Sequence, residues 1–571
     1  MEAGNTTAAS LEARVAHLEA ALATERERVE SLTKERDQLR ASHERLRLEL
    51  ELLKRRIFIA KAERVDTKQL EIEFAEKLRQ LDVLAGTLEK TEDDGEEGAP
   101  PKKKGSKPSG RRDFRTAPLE EERVELRDPL YEPLVADGKA ERIGYEESIR
   151  LAFKRGGLRR LILARAKYKL LNATGEAVID TTPLPPETFR RSYAAPSLIA
   201  HILMEKYGKG MPLFRQEDAF ARDGVPIDRG TMCRWVEDAG ATVGATVVAA
   251  ARAEMIAESF CIATDATGVA IQPIRSGDNT RKPCRRGHYF VLIGDRDHVF
   301  FEYTPKETSD AVRLMFKGYS GHIQADAKSV YDVLFRDADE RPPDDDECSR
   351  LEVACLSHAR RKFWEAALAK CQVAREALVR LGRIFELDAS WRGKPPAEIK
   401  RLRDAHLRPH FLAFFAWAEI EYEKVRNVRG LLRSAFGYAV RQKAALLRVL
   451  DDGRLVLENN RSERELRRIA VGRKAWMFVG SDDHAESAGH IFSLIASARL
   501  HRLDPEAYLR DVFRVLAHWP RDRYLELAPK YWAATRARLD VTQLELEVGP
   551  LTIPPRLETP AEEQSAANCA G

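Results

Sequence analysis

The stretch that decides the fold reads Ser259-Phe260-Cys261-Ile262-Ala263-Thr264-Asp265-Ala266-Thr267-Gly268-Val269. It is typical of a buried β-strand, interrupted by a single carboxylate. Two further apolar runs follow, His288–Asp295 and His298–Tyr303, and a helix is predicted from about Ser309 to Phe316. A fourth predicted strand, Gly321–Asp326, again ends in a carboxylate. The order β-β-β-α-β indicates an α/β fold with acids on its first and fourth strands.

Asp265 and Asp326 are the predicted metal ligands. An Asp in an apolar strand costs free energy unless its charge is compensated, and a divalent cation compensates it most strongly. On neighbouring strands, the two carboxylates could share hard cations that prefer oxygen ligands, Mg²⁺ first and Mn²⁺ as the alternative. Two such ions can support phosphoryl transfer. The simpler interpretation of either Asp alone is a strand-end residue that accepts hydrogen bonds from turn amides.

A third acidic ligand is expected on a helix that returns to the sheet. The segment Asp451–Arg468 supplies such a helix, with Asn460 as the predicted N-cap and Glu463 at the third helical position. The competing interpretation of Glu463 is a capping-box glutamate that reaches back to the Asn460 amide. Glu458 and Glu465 are alternative ligands, and spacing alone does not choose among the three.

Length and composition exclude several classes of protein. A chain of 571 residues should divide into several domains, and its 43% hydrophobic and 33% charged residues fit a soluble protein. No membrane-length apolar run or secretory leader is visible, so we expect a cytoplasmic protein without a membrane partner. The net charge of +4 does not by itself predict a nucleic-acid partner. Cys233 is the first of seven cysteines, which excludes a disulfide framework or cysteine zinc module upstream.

The first 60 residues carry a heptad repeat. Steps of 4 and 3 from Leu11 to Ile57 meet apolar residues at 11 of 14 positions, whereas composition alone gives about six. This seam predicts a coiled coil over residues 8–60 that joins copies of the chain; the alternative is a single long surface helix. Residues 61–114 are predicted to form a second helix and a flexible charged linker.

Residues 191–245 form a predicted helix-turn-helix. Helical periodicity breaks at Gly224–Ile227, and Asp228 is the predicted N-cap of the second helix. The side chains on that helix predicted to contact DNA are Arg229, Thr231 and Arg234. The alternative is a helical hairpin that binds nothing.

Further cations flank the predicted acidic site. Two groups are predicted to position DNA phosphates, namely Arg360, Arg361 and Lys362, and Arg464, Arg467, Arg473 and Lys474. For any one of them the alternative is a solvated helix face. Cys355-x-x-His358 has the spacing of half a zinc site, but no second pair lies at a fitting distance, so a structural or DNA-contacting role is favoured.

Four motifs together resemble one known family. They are Met211–Glu217, Cys355–Trp364, Glu458–Arg464 and Gly472–Ser481. Through them the chain, from the coiled coil to about Pro520, resembles the insertion-sequence 66 family of bacterial DDE transposases. The resemblance implies that DNA is cleaved at the ends of an insertion sequence and that the freed ends are joined to target DNA.

The resemblance also implies a fold and a site. It implies an RNase H-like catalytic core at residues 255–500, with a large helical insertion at about 361–450. It identifies the catalytic acids as Asp265, Asp326 and Glu463. The implied partners are the terminal repeats, the target DNA, other copies of the chain and accessory transposition proteins. Two alternatives stay open: an inactive DNA-binding derivative of a transposase, and an RNase H-fold nuclease without strand transfer.

The chain departs from the family pattern at two places. Family members carry a cysteine-rich zinc module, but residues 115–190 contain no cysteine and show two predicted short strands, Arg159–Leu163 and Ala166–Leu170. Ala266 follows the first acid, where glutamate is common. After the core, we expect a C-terminal helical region at residues 501–545 and a disordered tail at residues 546–571.

Overall fold

The protein is described by a computed structural model that covers residues 24–26, 28–34, 119–154, 157–171, 176–190, 192–273, 283–336, 348–368 and 371–557. The chain divides into two compact units, Met1–Arg112 and Asp113–Gly571. In the first unit the described residues are helical. Val29 and Leu32, two seam positions of the predicted coiled coil, are 60% and 56% exposed. Most of that coiled coil, and all of the predicted linker, lies outside the described residues.

The second unit is a mixed α/β structure with two sheets. Its strands are β1 (Glu120–Leu126), β2 (Ala140–Lys154), β3 (Gly157–Leu171), β4 (Ala177–Thr181), β5 (Cys261–Ile271), β6 (Arg285–Gly294), β7 (His298–Thr304), β8 (Gly321–Ala325) and β9 (Arg350–Ala354). The first four form one sheet and the last five form the other.

The helices surround these sheets and also form a large insertion. They are α1 (Glu132–Ala136), α2 (Pro196–Leu203), α3 (Leu213–Arg222), α4 (Arg229–Val243), α5 (Ala249–Glu258), α6 (Ser309–Met315), α7 (Leu356–Leu368), α8 (Gln372–Ser390), α9 (Pro396–Leu402), α10 (Arg408–Val425), α11 (Leu431–Arg441), α12 (Lys443–Leu447), α13 (Asn460–Trp476), α14 (Asp482–Leu500), α15 (Pro505–Val515), α16 (Pro529–Arg536) and α17 (Val541–Glu545). Several of these helices are extended by short turns of other helical types. The π-helical turns are Met204–Gly208, Gly244–Val248 and Arg403–Leu407, and the 3₁₀ turns are Ser329–Phe335, Arg448–Leu450 and Arg521–Leu527.

The first sheet corrects one prediction. Arg159–Leu163 and Ala166–Leu170 are parts of a single 15-residue strand, β3, rather than two short strands. The reason is tertiary: β3 pairs with β2 along its whole length, with β1 over its first half and with β4 over its second half. A strand paired on both sides can continue through the polar residue between the two apolar runs, Arg165.

The second sheet has the strand order β7-β6-β5-β8-β9. β5, β6 and β7 form an antiparallel meander, and β8 and β9 continue the sheet parallel to β5. The predicted succession of three strands, a helix and a fourth strand is therefore confirmed. β9 was not predicted. Its addition makes β8 an interior strand, flanked by β5 on one side and β9 on the other.

Helix α14 covers the β7 edge of this sheet. The backbone amides of Val299 and Phe301 donate to the hydroxyls of Ser497 and Ser493, at 2.9 and 2.8 Å. An edge strand otherwise presents unpaired N–H groups. The approach is close at Gly489, where an added Cβ would lie 2.5 Å from the Phe301 carbonyl oxygen. Small residues on α14 thus let the helix satisfy and bury the sheet edge.

The helical insertion lies between β9 and α13 and has its own core. Besides leucines and alanines, that core contains five buried phenylalanines: Phe363, Phe411, Phe414, Phe415 and Phe436. The prediction that residues 361–450 are nearly all helical is confirmed, and the helices begin slightly earlier, at Leu356. The insertion therefore packs as a helical subdomain beside the sheet.

The C-terminal residues pack against the rest of the second unit. Arg514 is buried, and its guanidinium donates to the carbonyl oxygens of Leu546, Gly549 and Pro550. The predicted tail at residues 546–571 therefore starts too early, and residues 558–571 lie outside the described part. Among the helices that the structure describes, none is long and apolar enough to cross a bilayer.

We predict that Ser493→Ala combined with Ser497→Ala destabilises the sheet edge. The amides of Val299 and Phe301 would be buried without acceptors, at a cost of about 1–3 kcal/mol each. Hydrogen exchange at these two amides should become faster, and thermal unfolding should shift downward. Ser487→Ala is the control, because this buried serine lies on the same helix without a hydrogen bond to β7. Unchanged protection in the double variant would contradict the edge-covering role.

Candidate active site

Asp265 and Asp326 lie on neighbouring parallel strands. β5 and β8 pair in a register that ends with Ala263 opposite Gln324. The same register extended by two residues would bring Asp265 opposite Asp326, and the charge of Asp326 does act on Asp265. Asp326 follows directly after β8, where the chain leaves the sheet. The sheet therefore brings the two predicted acids together.

Both carboxyl groups are partly shielded from water. The Asp326 side chain is 16% exposed, and its Oδ1 atom is buried without a hydrogen-bond partner in the described structure. Burial raises the pKa of Asp265, and the charges of Asp326 and Glu463 raise that pKa further. A hydrogen bond from the Ala266 amide and the charge of Lys328 oppose this rise. Asp326 and Glu463 thus each lie close enough to Asp265 to repel its charge.

Glu463 lies on the exposed first turn of α13. The predicted N-cap is wrong by one residue: α13 begins at Asn460, and Asn459 occupies the cap position. The capping-box interpretation of Glu463 also fails, because the Asn460 amide donates no hydrogen bond to its carboxylate in the described structure. Glu463 has no side-chain hydrogen bond or ion pair within the described ranges, which leaves its carboxylate available.

The two rival glutamates are already engaged. Glu458 accepts a hydrogen bond of 3.1 Å from the Ser357 hydroxyl and lies 4.0 Å from Arg392. Glu465 forms a 3.0 Å ion pair with Arg468, one turn along the same helix. Sequence spacing did not distinguish these carboxylates. Their contacts favour Glu463 as the third member of the acidic group.

Asn459 links the strand of the first acid to the helix of the third. Its amide Nδ2 donates to the Thr264 carbonyl at 2.7 Å, and its Oδ1 accepts from the Ser462 hydroxyl at 2.6 Å. Its backbone amide contacts the Cys355 sulfur at 3.2 Å. The residue is 2% exposed. Thr264 and Ser462 each precede an acid, so Asn459 fixes the spacing between Asp265 and α13.

The segment before α13 is held by further buried hydrogen bonds. The side-chain amide Nε2 of Gln324 donates to the Val456 carbonyl at 2.7 Å. The backbone amide of Leu356 donates to the Leu457 carbonyl at 2.8 Å. Arg403, which is 3% exposed, donates to the carbonyls of Val449, Asp452 and Leu455. Both the sheet and the helical insertion therefore position α13.

Lys328 is a site residue that the sequence reasoning missed. Its Nζ lies 3.5 Å from Asp326 Oδ2 and 3.5 Å from Glu307 Oε1. Glu307 in turn lies 3.7 Å from His288 Nε2. The only signal in the sequence is a cation two residues after the second acid, which by itself is weak. The structure shows that this cation turns back toward the acidic group.

The donor set fits a hard divalent cation, but the side chains are not arranged around one. Carboxylate oxygens are the preferred ligands of such ions, and the unpartnered Oδ1 atom of Asp326 is an available donor. In the described part of the chain, however, no three His, Cys, Asp or Glu side chains are arranged to hold a metal ion. A cation would have to draw Glu463 and the aspartates closer together.

The predicted helix-turn-helix has the expected helices. α3 ends at Arg222 and α4 begins at Arg229, and the Asp228 carboxylate caps α4 by accepting from the Thr231 amide. Arg229 and Arg234 are exposed. The Thr231 hydroxyl is engaged within the protein, since it donates to Asp228 and accepts from Arg234.

The cations predicted near the acids fall into two groups. Those with exposed side chains are Arg360, Arg361, Arg464, Arg467 and Lys474. The other two are turned toward the protein. Lys362 lies over the Tyr438 ring, and Arg473 donates to the Gly268 carbonyl and the Thr267 hydroxyl. Arg473 therefore fastens α13 to β5, which the sequence did not indicate.

Comparison with known proteins gives two family matches and several relatives. The family described as "Transposase IS66 family" matches residues 191–487, and the family described as "IS66 C-terminal element" matches residues 493–529. The uncharacterized protein y4hP of Sinorhizobium fredii (strain NBRC 101917 / NGR234) is 27% identical over 389 residues, which cover 63% of this chain and 66% of that protein.

A second relative from the same strain, the uncharacterized protein y4qI, is 26% identical over 396 residues, covering 68% of this chain and 71% of that protein. The chain thus spans about two thirds of the length of these relatives. The first family match includes β5–β9, the helical insertion and α13, and so contains all three acids. That match covers just over half of the residues of this chain, and the chain therefore belongs to the IS66 family of transposases.

Proposed function

We propose that this transposase cleaves and joins DNA with Asp265, Asp326 and Glu463 as its metal-binding acids. The observation that carries the proposal is the parallel pairing of β5 with β8, supported by the electrostatic effect of Asp326 on Asp265. Glu463 is the third acid because its charge reaches Asp265 and its carboxylate has no protein partner in the described structure. When bound, two Mg²⁺ or Mn²⁺ ions would activate the attacking oxygen and stabilise the leaving one.

The residues of the chain have separate tasks in this scheme. Asp265 and Asp326 supply oxygens from two neighbouring interior strands of the sheet, and Glu463 supplies an oxygen from the start of α13. Asn459 fixes the distance between these two supports through its hydrogen bonds to Thr264 and Ser462. Both reaction steps, hydrolysis at the element end and attack of the freed 3′-hydroxyl on target DNA, are in-line displacements. One set of acids can therefore serve both.

The exposed side of α13 would hold the DNA beside the acids. Arg464, Arg467 and Lys474 follow Glu463 on this helix with exposed side chains. Lys474 lies 11 residues after Glu463, which corresponds to about 16 Å along the helix axis. Cations spaced over that length can contact several successive phosphates without reading sequence. Arg360 and Arg361 on α7 would add positive charge nearby.

The remaining parts of the chain take supporting roles in this proposal. Residues 255–500 form an RNase H-like core, because the meander and the parallel return put the acids on adjacent strands. Helices α3 and α4 recognise the terminal repeats. The coiled coil at residues 8–60 joins copies of the chain, and exposed seam residues such as Val29 and Leu32 suit that role. Where the family carries a zinc module, the described residues between 119 and 190 contain a four-stranded sheet.

The decisive assay uses labelled terminal repeats, Mg²⁺ and target DNA. A transposase gives cleaved ends and joined products. A nuclease without strand transfer gives cleaved ends alone, and an inactive DNA-binding derivative shifts the repeats in a gel without cutting them. We expect joined products, and their absence under conditions that allow end binding would overturn the proposal.

We predict that Asp326→Asn keeps end binding and loses metal-dependent nicking. The substitution removes an anionic ligand and leaves the fold intact, so nicking should fall by at least about two orders of magnitude. Gel-shift and nicking assays on the same preparation separate the two properties. Asp332→Asn is the matched control, because Asp332 is an exposed acid six residues downstream. Undiminished nicking by Asp326→Asn would refute the assignment.

We also predict that neutralising Glu463 and Glu465 has different effects. Glu463→Gln should reduce cleavage by about a hundredfold or more, as expected for a metal ligand. Glu465→Gln should stay within about fivefold of the wild type, because it breaks only a partly exposed ion pair with Arg468. Initial cleavage rates at saturating Mg²⁺ measure both. Comparable losses, or a larger loss at Glu465, would assign the third acid differently.

A further inference from the structure

Lys328 stands between two carboxylates at the edge of the acidic group. Its Nζ is 3.5 Å from Asp326 Oδ2 and equally 3.5 Å from Glu307 Oε1. The charges of Asp326, Glu307 and Asp265 all stabilise the positively charged form of Lys328. The ammonium group thus already compensates part of the acidic charge within the protein.

The backbone places Lys328 there by a tight turn after β8. The Lys328 amide donates to the Asp326 carbonyl at 2.7 Å, which folds the chain back toward the acid. The Tyr331 amide donates to the Lys328 carbonyl at 3.0 Å at the start of the 3₁₀ turn Ser329–Phe335. The lysine backbone is therefore fixed, while its side chain, 42% exposed, can move between the two carboxylates.

The ammonium group and a divalent cation compete for the same carboxylate. Two positive charges a few ångströms apart repel each other, and the repulsion is larger in a half-buried site than in water. Glu307 forms a second ion pair of equal length with Lys328. The lysine can therefore leave Asp326 and still be paired with a carboxylate. His288, 3.7 Å from Glu307, and Tyr331, on which the Glu307 charge acts, also face this carboxylate.

We propose that Lys328 is a built-in counter-ion that pairs with Asp326 before a metal binds and shifts to Glu307 when a divalent cation takes its place. This inference rests on the proposed function. Lys328 acts through Asp326 and is therefore a positioning residue. Glu307 serves as the receiving partner, which keeps the displaced lysine near the acids. The pair sets how tightly the site binds its metal.

The test measures Mn²⁺ binding to the full-length chain without DNA at pH 8, with free Mn²⁺ read by electron paramagnetic resonance. Lys328→Met should tighten Mn²⁺ binding by on the order of tenfold, because the competing cation is gone. Glu307→Gln should weaken binding, because the lysine is then confined to Asp326. In the Lys328→Met background, Glu307→Gln should have little further effect, since its influence passes through the lysine.

Matched controls separate this inference from the proposed function. Lys317→Met removes an exposed lysine elsewhere in the second unit and should leave Mn²⁺ affinity unchanged. Asp326→Asn should abolish tight binding. If Asp326→Asn abolishes binding but Lys328→Met leaves it equal or weaker, the counter-ion role is overturned and the metal site stands. The counter-ion role is also overturned if Glu307→Gln weakens Mn²⁺ binding equally in the wild-type and Lys328→Met proteins. If Asp326→Asn has no effect, both proposals fail.

Discussion

Half-buried negative charge on the two interior strands β5 and β8 is the constraint on which the rest of the structure depends. The pairing of β5 with β8 brings Asp265 near Asp326, and burial raises the pKa of Asp265, with the charge of Asp326 adding to that rise. Such a group needs a cation, either a lysine from the chain or a divalent ion. In this structure the cation is the ammonium group of Lys328. In the proposed function, the exposed carboxylate of Glu463 on α13 helps the two aspartates bind the divalent ion.

The surrounding fold maintains this arrangement from three directions. Asn459 connects β5 to the start of α13, and Gln324 ties β8 to the segment before that helix. The helical insertion contributes Arg403, whose buried guanidinium organises three carbonyl groups of the same segment. At the β7 edge of the sheet, α14 satisfies the amides of Val299 and Phe301. The insertion is thus more than a loop of extra helices, because the position of the third acid depends on it.

Local patterns predicted much of the fold, and tertiary contacts determined what they missed. Buried strands and capped helices carry their signal in consecutive residues, so β5–β8, α4 and the helical insertion followed from the sequence. β9 did not, because a five-residue strand becomes evident only through its parallel pairing with β8. Asn460 was predicted to cap α13 because the sequence offers two adjacent asparagines, whereas the tertiary bond to Thr264 selects Asn459. Arg473 resembled a phosphate ligand until its protein partners were visible. Both aspartates were predicted from their strands, whereas the sequence signal for Lys328, a cation two residues after the second acid, is weak.

The convergence of three acids on shared metal ions is tested most directly by an anomalous difference map of the full-length chain crystallised with Mn²⁺ and end DNA. Two manganese peaks within ligating distance of Asp265, Asp326 and Glu463 are the predicted result, with the scissile phosphate between them. Peaks elsewhere in the chain, or a Glu463 side chain turned away from metal bound by the two aspartates, would contradict it.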